Sequence, residues 1–451
     1  MEFLALPILI FFLYAVYSFS LKPHLAVACI LIISVINTWF IEQFSMKMGL
    51  NIYLYDLALV PIFFSALIRL LLKREWPYAS PLWIGYGLII FFSLFSGLKQ
   101  FGTTAGVDFR SIFYYWSGTL YFMSFAYTKE MITKIVKYWL LICSALLLIV
   151  YFRFVAEALH FPISATWKVA DSTGVRFRVV NSGQAYLLGM TVVMLFHRYV
   201  LPDMAIKPSR LLTVLFIFAV IALQHRSVWG ATLFGIASLF LLPGVKKHKL
   251  VGKFIVIGSV GFLLLLPLLS MGYLDHFIDS IVGSAEKATN LNTGTFGARR
   301  KAWEQILAYW VRHDFLHQLL GDPFGGGYAG IANSPHNFFL QSLLRTGMLG
   351  NFFLCLFYLG ILLKLYFNLL KNSESCFYPT LFFMLIVAQM AFYIPYAPLA
   401  EHGILLGIAG SLAKRKLSVA GATTESENTR YFLNTPDSKN FNLAKTPSIN
   451  S

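Results

Sequence analysis

The sequence predicts an all-α polytopic membrane protein of about 12–13 transmembrane helices with one large extracytoplasmic loop. Three observations predict it. Of 451 residues, 58% are hydrophobic and 17% aromatic, only 12% are charged, and the mean hydropathy is +0.68, where an average soluble domain carries roughly a quarter charged residues. The apolar residues fall in runs long enough to cross about 30 Å of hydrocarbon at about 1.5 Å per residue. The Lys and Arg residues punctuate those runs at alternate connections.

In chain order, the first run, 3–19 within "MEFLALPILIFFLYAV", lacks a cationic start and carries Glu2, so it reads as a retained span, not a cleaved leader. Runs at 25–42, 52–70, 81–98, 111–127 and 136–156 follow, each bounded by polar or charged residues. After a polar connection, 157–181, come 182–198, 211–224 and 227–243, the last two separated by little more than Arg226. The run 254–272 precedes a long polar stretch, 273–335. The runs 348–367, 377–396 and 402–413 complete the set, and the polar tail "GATTESENTRYFLNTPDSKNFNLAKTPSINS" is too poor in apolar residues to fold alone and reads as disordered.

Lys22, then Arg69, Lys73 and Arg74, then Lys129, Lys134 and Lys137, then Arg198, Lys207 and Arg210, then "KKHK" at 246–249, then Lys364 and Lys371, then Lys414 to Lys416 occupy one set of alternate connections. The excess of cations assigns that set, and the tail, to the cytoplasm. The long loops 157–181 and 273–335 fall outside. The expected organisation is a transmembrane bundle over 1–272, a large outer loop with an interfacial helix over 273–347, terminal spans over 348–416 and a cytoplasmic tail over 417–451.

A net charge of +16 and pI near 9.6 do not point to nucleic acid, because the cations form no continuous patch. Cys29, Cys143, Cys355 and Cys376 lie in or beside apolar runs with no CxxC pair, so neither a disulfide framework nor a metal site is expected. No GxxxxGK[ST], HExxH or DxD pair is present. A phosphate would therefore be handled by arginines.

The unusual polar residues gather in the large loop and at span ends. In "SPHNFFLQSLLRTGMLG", 334–350, Ser334 and Pro335 read as a helix cap and first position, placing His336 and Asn337 in the first turn. The helix dipole there would disfavour protonating the imidazole and leave a neutral base. A single helix over 336–367 would reach nearly 50 Å, so a break at Gly347 is expected. It separates an interfacial helix, 336–346, with Arg345 near water, from a span beginning at Met348.

Upstream, "GARRKAW" holds Arg299, Arg300 and Trp303, and "GDPFGGG" offers either close backbone approach to a ligand or a plain turn. Arg226 in "LQHRSVWG" is a costly cation at the membrane boundary: a functional residue by default, or one that snorkels to headgroups. Arg176, Arg178 and Asn181 in "RFRVVNSGQAY" could add cationic wall to an outer cavity. Asp56, Asp108 with Arg110, and Glu401 with His402 read better as contacts between helices.

Taken together, His336, Asn337, the nine residues "FFLQSLLRT", Gly347, two further residues and Gly350 resemble the signature of the O-antigen ligase and O-antigen polymerase family of bacterial membrane glycosyltransferases. Arg299, four residues before Trp303, and Arg226 in "HRSVWGA" are similar to the family's upstream arginines, although Ser227 and Val228 stand where Gly-Ala is common, and Arg300 leaves the register between the two arginines open. The likeness is sharp over about 226–350 and architectural elsewhere.

The resemblance implies a GT-C-like bundle in the bacterial inner membrane with a periplasmic active site. It implies metal-independent, inverting transfer of a glycan from undecaprenyl diphosphate to an acceptor hydroxyl, without a cofactor. His336 would be the general base. Arg226 and Arg299 would hold the departing diphosphate, and Arg300, Arg178, Asn181 and Asn337 would add substrate contacts. The acceptor would be a lipid A core sugar or a growing glycan, and the residues do not choose between them.

The alternative is a transporter or flippase of a lipid-linked or anionic glycan, since intramembrane cations also mark transport paths. Such a protein would more often show paired repeats with matching broken helices, and the sequence has neither.

Overall fold

The computed structural model describes residues 2–40, 45–48, 50–72, 80–161, 179–200, 209–243, 247, 251–252, 294–330, 335–371 and 377–414. These are mostly helical. In order they form α1 (Glu2–Leu21), α2 (Pro23–Trp39), β1 (Ser45–Met48), β2 (Leu50–Tyr53), α3 (Leu54–Leu72), α4 (Ser80–Phe101), α5 (Thr103–Met123), α6 (Lys129–Ala158), α7 (Ser182–Val200), α8 (Arg210–Ala222) and α9 (Arg226–Ala237), then α10 (Gly294–Arg312), α11 (Phe315–Leu320), α12 (Phe338–Lys371), α13 (Phe377–Tyr393) and α14 (His402–Lys414). Every predicted run except 254–272, which lies outside the described residues, falls on one of these helices.

Four helical stretches are long and apolar enough to cross a membrane: Leu54–Leu71, Ser80–Phe101, Lys129–Glu157 and Phe338–Lys371. A fifth crossing is added if α1 and α2, bent by 120° at their junction, make one span. The strands are a departure from the all-α expectation. They pair antiparallel with Ser45 opposite Tyr53, so the chain satisfies its own backbone groups where it passes from α2 to α3. Arg110 donates to the Asn51 carbonyl at 2.9 Å, and Asp56 accepts from the Tyr53 N–H at 2.8 Å and from Tyr114 at 2.5 Å. Asp56 and Arg110 therefore join elements, as expected for such residues.

Two ends of the bundle follow from its polar contacts. At one, Arg69 donates to the Ser20 carbonyl and to Ser124, with its guanidinium 3.5 Å from the Phe125 ring centre. At the other, Arg153 donates to the carbonyls of Thr38 and Val179, and His225 Nε2 meets the Val180 carbonyl at 3.0 Å. Between the ends, Trp83 and Trp116 each donate an indole N–H to the other's carbonyl, at 3.1 and 3.0 Å, locking α4 to α5.

The break in α12 is at Gly347, with φ 60° and ψ −165°. The expectation of a break there holds, and its physical reason is a close backbone crossing. A Cβ on Gly347 would lie 2.3 Å from the Leu319 carbonyl oxygen, and one on Gly321 would lie 2.5 Å from the Arg345 carbonyl carbon and the Gly347 nitrogen. The Asp322 N–H donates to the Leu344 carbonyl at 2.6 Å, so the chain after α11 satisfies a carbonyl freed by the break. Gly347→Ala combines a left-handed φ with a backbone clash. It is expected to cost more than 1 kcal/mol, read as a lowered unfolding midpoint of the purified chain. An unchanged midpoint would show that the crossing relaxes freely.

Candidate functional site

The start of α12 places His336. Asn337 is the cap: its Oδ1 accepts from the Leu340 N–H at 3.0 Å and its carbonyl from the Gln341 N–H at 2.9 Å. The expected register, with Pro335 opening the helix and His336 and Asn337 in its first turn, is therefore wrong by a few residues. Asn offers a carbonyl-like oxygen on a short stem, which suits the cap better than the first turn. Ser334 lies outside the described residues. With its Oδ1 used on the helix, Asn337 ends the loop that carries His336.

His336 takes a left-handed backbone, φ 48°, an uncommon conformation for a residue with a side chain. The carbonyl before it, that of Pro335, accepts from the Trp303 indole N–H at 2.8 Å. Trp303 on α10 thereby anchors the loop that presents the histidine. This is a second reason, besides the glycines, for the spacing seen in the sequence.

Arg299 lies one turn before Trp303 on α10. Its guanidinium carbon is 5.0 Å from the Tyr396 ring centre, and the His336 ring lies 6.3 Å from the same tyrosine at 73°. Tyr396 thus carries a cation and an imidazole on one aromatic platform. It is backed by Phe392, stacked at 4.8 Å, and that ring by Tyr186 of α7 at 4.1 Å. The sequence offered no signal for Tyr396 among 23 tyrosines.

Partial burial first, and the Arg299 charge second, lower the His336 pKa from its ordinary value. The direction is the one expected from the helix dipole, and two further causes supply it: desolvation and a nearby cation both penalise imidazolium.

Arg300 faces elsewhere on the helix, paired with Glu304 at 3.3 Å with both side chains well exposed. Of the two adjacent arginines it is Arg299 that lies at Tyr396, since consecutive helical residues diverge by about 100°.

Arg226 opens α9, half-buried, directly after the buried His225 that holds the Val180 carbonyl. It stands at the end of the bundle where α7 begins, and α9 packs on α13, which leads into Tyr396. Asn181 was expected to touch substrate. Its Oδ1 instead accepts from the N–H groups of Gly183 and Gln184 at 3.0 and 3.1 Å and caps α7. Arg178 and Arg176 lie outside the described residues.

Arg345 corrects another expectation. It is not near water but 1% exposed, with Nη2 2.6 Å from Asp108 Oδ2 of α5. It also donates to the carbonyls of Pro323 at 2.9 Å and Gly327 at 2.7 Å. Asp108 accepts from the Gly325 N–H at 3.1 Å and the Tyr328 hydroxyl at 3.0 Å. Nor is the segment 338–346 laid along an outer surface: Phe338, Gln341, Ser342, Leu344 and Thr346 are buried with it. A buried carboxylate partner and two carbonyls supply what water would have.

The glycine-rich stretch is part of this clamp. Gly325 has φ 90° and sits against Phe101 and Ala105, so the close approach its glycines permit is to α4 and α5. Gly350 faces Thr346, whose Oγ1 would lie 2.2 Å from an added Cβ. Two of the motif's features, Gly347 and Gly350, are therefore packing devices that hold the histidine's helix in place.

Glu401 accepts a hydrogen bond from Tyr55, and His402 Nδ1 accepts from the Leu399 N–H at 3.2 Å. The first joins α3 to the start of α14 and the second is a helix-end contact. Cys29, Cys143 and Cys355 are free thiols, and Cys376 lies outside the described residues. Among the described residues no three His, Cys, Asp or Glu side chains converge in a metal-binding group. The site can therefore offer an imidazole with a lowered pKa, a guanidinium beside it, and an aromatic face between them.

Comparison of the chain with protein-family models, with curated proteins and with solved structures finds no match.

Proposed function

We propose that this chain is a membrane glycosyltransferase of the O-antigen ligase or polymerase type, with about 12–13 spans in a GT-C-like bundle of the bacterial inner membrane and its active site on the periplasmic side. The observation that carries the reading is the meeting of His336 and Arg299 on the Tyr396 ring, since these two residues head the motifs that resemble that family. The donor is an undecaprenyl-diphosphate-linked glycan. The acceptor is a hydroxyl of a lipid A core sugar or of another glycan.

In this chemistry the acceptor oxygen attacks the anomeric carbon, the bond from that carbon to the diphosphate oxygen breaks with inversion, and the hydroxyl proton passes to His336 Nε2 or Nδ1. A neutral imidazole has the vacant lone pair this requires. The Arg299 guanidinium offers two parallel donors to the departing diphosphate, and Arg226 is assigned the same task. Electrostatic stabilisation of the leaving group in a partly shielded site is worth more than at an open surface.

The test supplies a lipid-linked glycan to membranes carrying the protein, without divalent cation, and resolves products on a gel. Longer lipid-linked chains identify a polymerase and lipid A-linked chains a ligase. Glycan that changes sides without a new linkage would instead identify a transporter, and loss of transfer on chelation alone would refute the metal-independent scheme. Arg299→Lys is expected to lower transfer by about tenfold or more, because one ammonium cannot reproduce a two-pronged grip. Arg300→Lys, which keeps a cation beside Glu304 away from Tyr396, should stay within about twofold. The reverse ranking would place the diphosphate at Arg300.

A further inference from the structure

Away from His336, α10 and α11 border an open cleft of about 660 Å³ on the large loop. Successive positions on α10 set it apart. Gln305, Ala308 and Arg312 share one stripe, while Arg299 and Trp303 lie on the other side of the helix. Arg312 is thirteen residues beyond Arg299, about 20 Å along the axis. Whatever the cleft holds is therefore remote from the reacting atoms, yet fixed to them by one rigid helix.

One wall of the cleft is a ladder of rings. Tyr309 and His313 lie 4.2 Å apart between centres, and His313 and His317 lie 5.5 Å apart. The rings are held in place. His313 Nδ1 meets the Tyr309 carbonyl at 2.9 Å, and His317 Nδ1 meets Asp314 Oδ1 at 2.5 Å. A carbonyl and a carboxylate only accept, so both Nδ1 atoms carry hydrogen, and in the neutral rings each Nε2 is left as an acceptor. Gln305 and Arg312 bring amide and guanidinium donors to the lining, and Ala308 takes up little space.

This is a lining with flat, half-apolar faces along one wall and planar hydrogen-bonding groups around them, in a space of the size that takes small ligands. A pyranose has the matching chemistry: an apolar C–H face that packs on an aromatic ring, and a rim of hydroxyls that both donate and accept. A lipid tail or an apolar peptide would leave the imidazoles, Gln305 and Arg312 without partners.

We propose that the α10–α11 cleft is a carbohydrate subsite that binds a sugar of the glycan several units from the one being transferred. The inference rests on the reading of the chain as a glycan transferase. It gives the large loop a task of its own: the transfer centre reads the diphosphate and the attacking hydroxyl, and the cleft reads the glycan chain.

The test uses the full chain in detergent with two donors from the same cells, undecaprenyl diphosphate carrying one repeat unit and the same lipid carrying several. Two exposed-site variants are compared, Arg312→Ala with His317→Ala, and Ala308→Trp, which fills the cleft from a solvent-facing helix position. Both are expected to reduce the ratio of kcat/KM for the long donor to that for the short donor by about tenfold, mostly through KM. An unchanged ratio in both variants overturns the subsite while leaving the transferase reading intact.

If the wild-type chain transfers neither donor, the transferase reading fails by itself. The cleft is then judged by binding of the delipidated polysaccharide, followed by tryptophan fluorescence. Binding by wild type that both variants lose supports the subsite, and absence of wild-type binding overturns it.

Discussion

His336→Ala is expected to lower glycan transfer by about 10²–10⁴-fold, the usual contribution of a positioned general base, with binding of the lipid-linked donor largely retained. The substitution keeps Asn337 as the cap of α12 and leaves the bond from Trp303 to the Pro335 carbonyl in place, so the helix and loop should persist. Single-turnover transfer from a radiolabelled donor is the measurement. A rate equal to wild type would assign the base to another residue.

The pH dependence carries a second, independent sign. Burial and the Arg299 charge lower the His336 pKa, so the base stays neutral and active down to a lower pH than an ordinary histidine would. The kcat/KM of wild type should rise with pH through that lowered value and be flat at neutrality. Arg299→Gln removes a cation that repels imidazolium. The acidic limb of its residual activity should therefore move to higher pH. A limb that stays put would show that Arg299 and His336 do not sense each other.

Arg345→Ala is expected to destabilise the chain by about 3–5 kcal/mol, the usual cost of removing one member of a buried ion pair. The loss should appear as a large fall in the unfolding midpoint in detergent. The magnitude follows from what is left behind: Asp108 without its cation, and the carbonyls of Pro323 and Gly327 without a donor. Arg345→Met with Asp108→Leu removes both charges and should recover part of the loss, because the uncompensated carboxylate is gone while the two carbonyls, the Gly325 N–H and the Tyr328 hydroxyl stay unsatisfied. If the single variant unfolds like wild type, the contacts around Arg345 do not hold the loop.

Arg345 also links stability to the site. It stands on the short helix that His336 and Asn337 lead into, two residues before Gly347, and ties that helix to α5 and to the glycine-rich chain. Arg345→Lys keeps the charge but cannot reach Asp108, Pro323 and Gly327 together with three fixed prongs. It should lower both stability and transfer, less than alanine does.

Much of this organisation is legible in the order of residues. The length and spacing of the apolar runs mark the helices, because an apolar run has to be buried or face lipid wherever it lies in the chain. The cation pattern sorts the connections into two alternating sets. Gly347 marks the break, because a helix as long as 336–367 would overrun a bilayer. The likeness of the His336 and Arg299 motifs to a known signature is likewise a property of the chain alone.

The partners of these residues were not legible, because they come from distant segments. Nothing near Arg345 in the sequence announces Asp108, so an isolated arginine was assigned to water. Nothing near His336 announces Tyr396. Which of Arg299 and Arg300 meets Tyr396 needed the face of α10, and the start of α12 needed the cap geometry of Asn337. Local periodicity and chain chemistry determine which segments are helices and where a break must fall. Whether a given charge is a clamp, a cap or a site is decided by the oppositely charged or aromatic group that folding brings to it, since the cost of burying it depends on that partner.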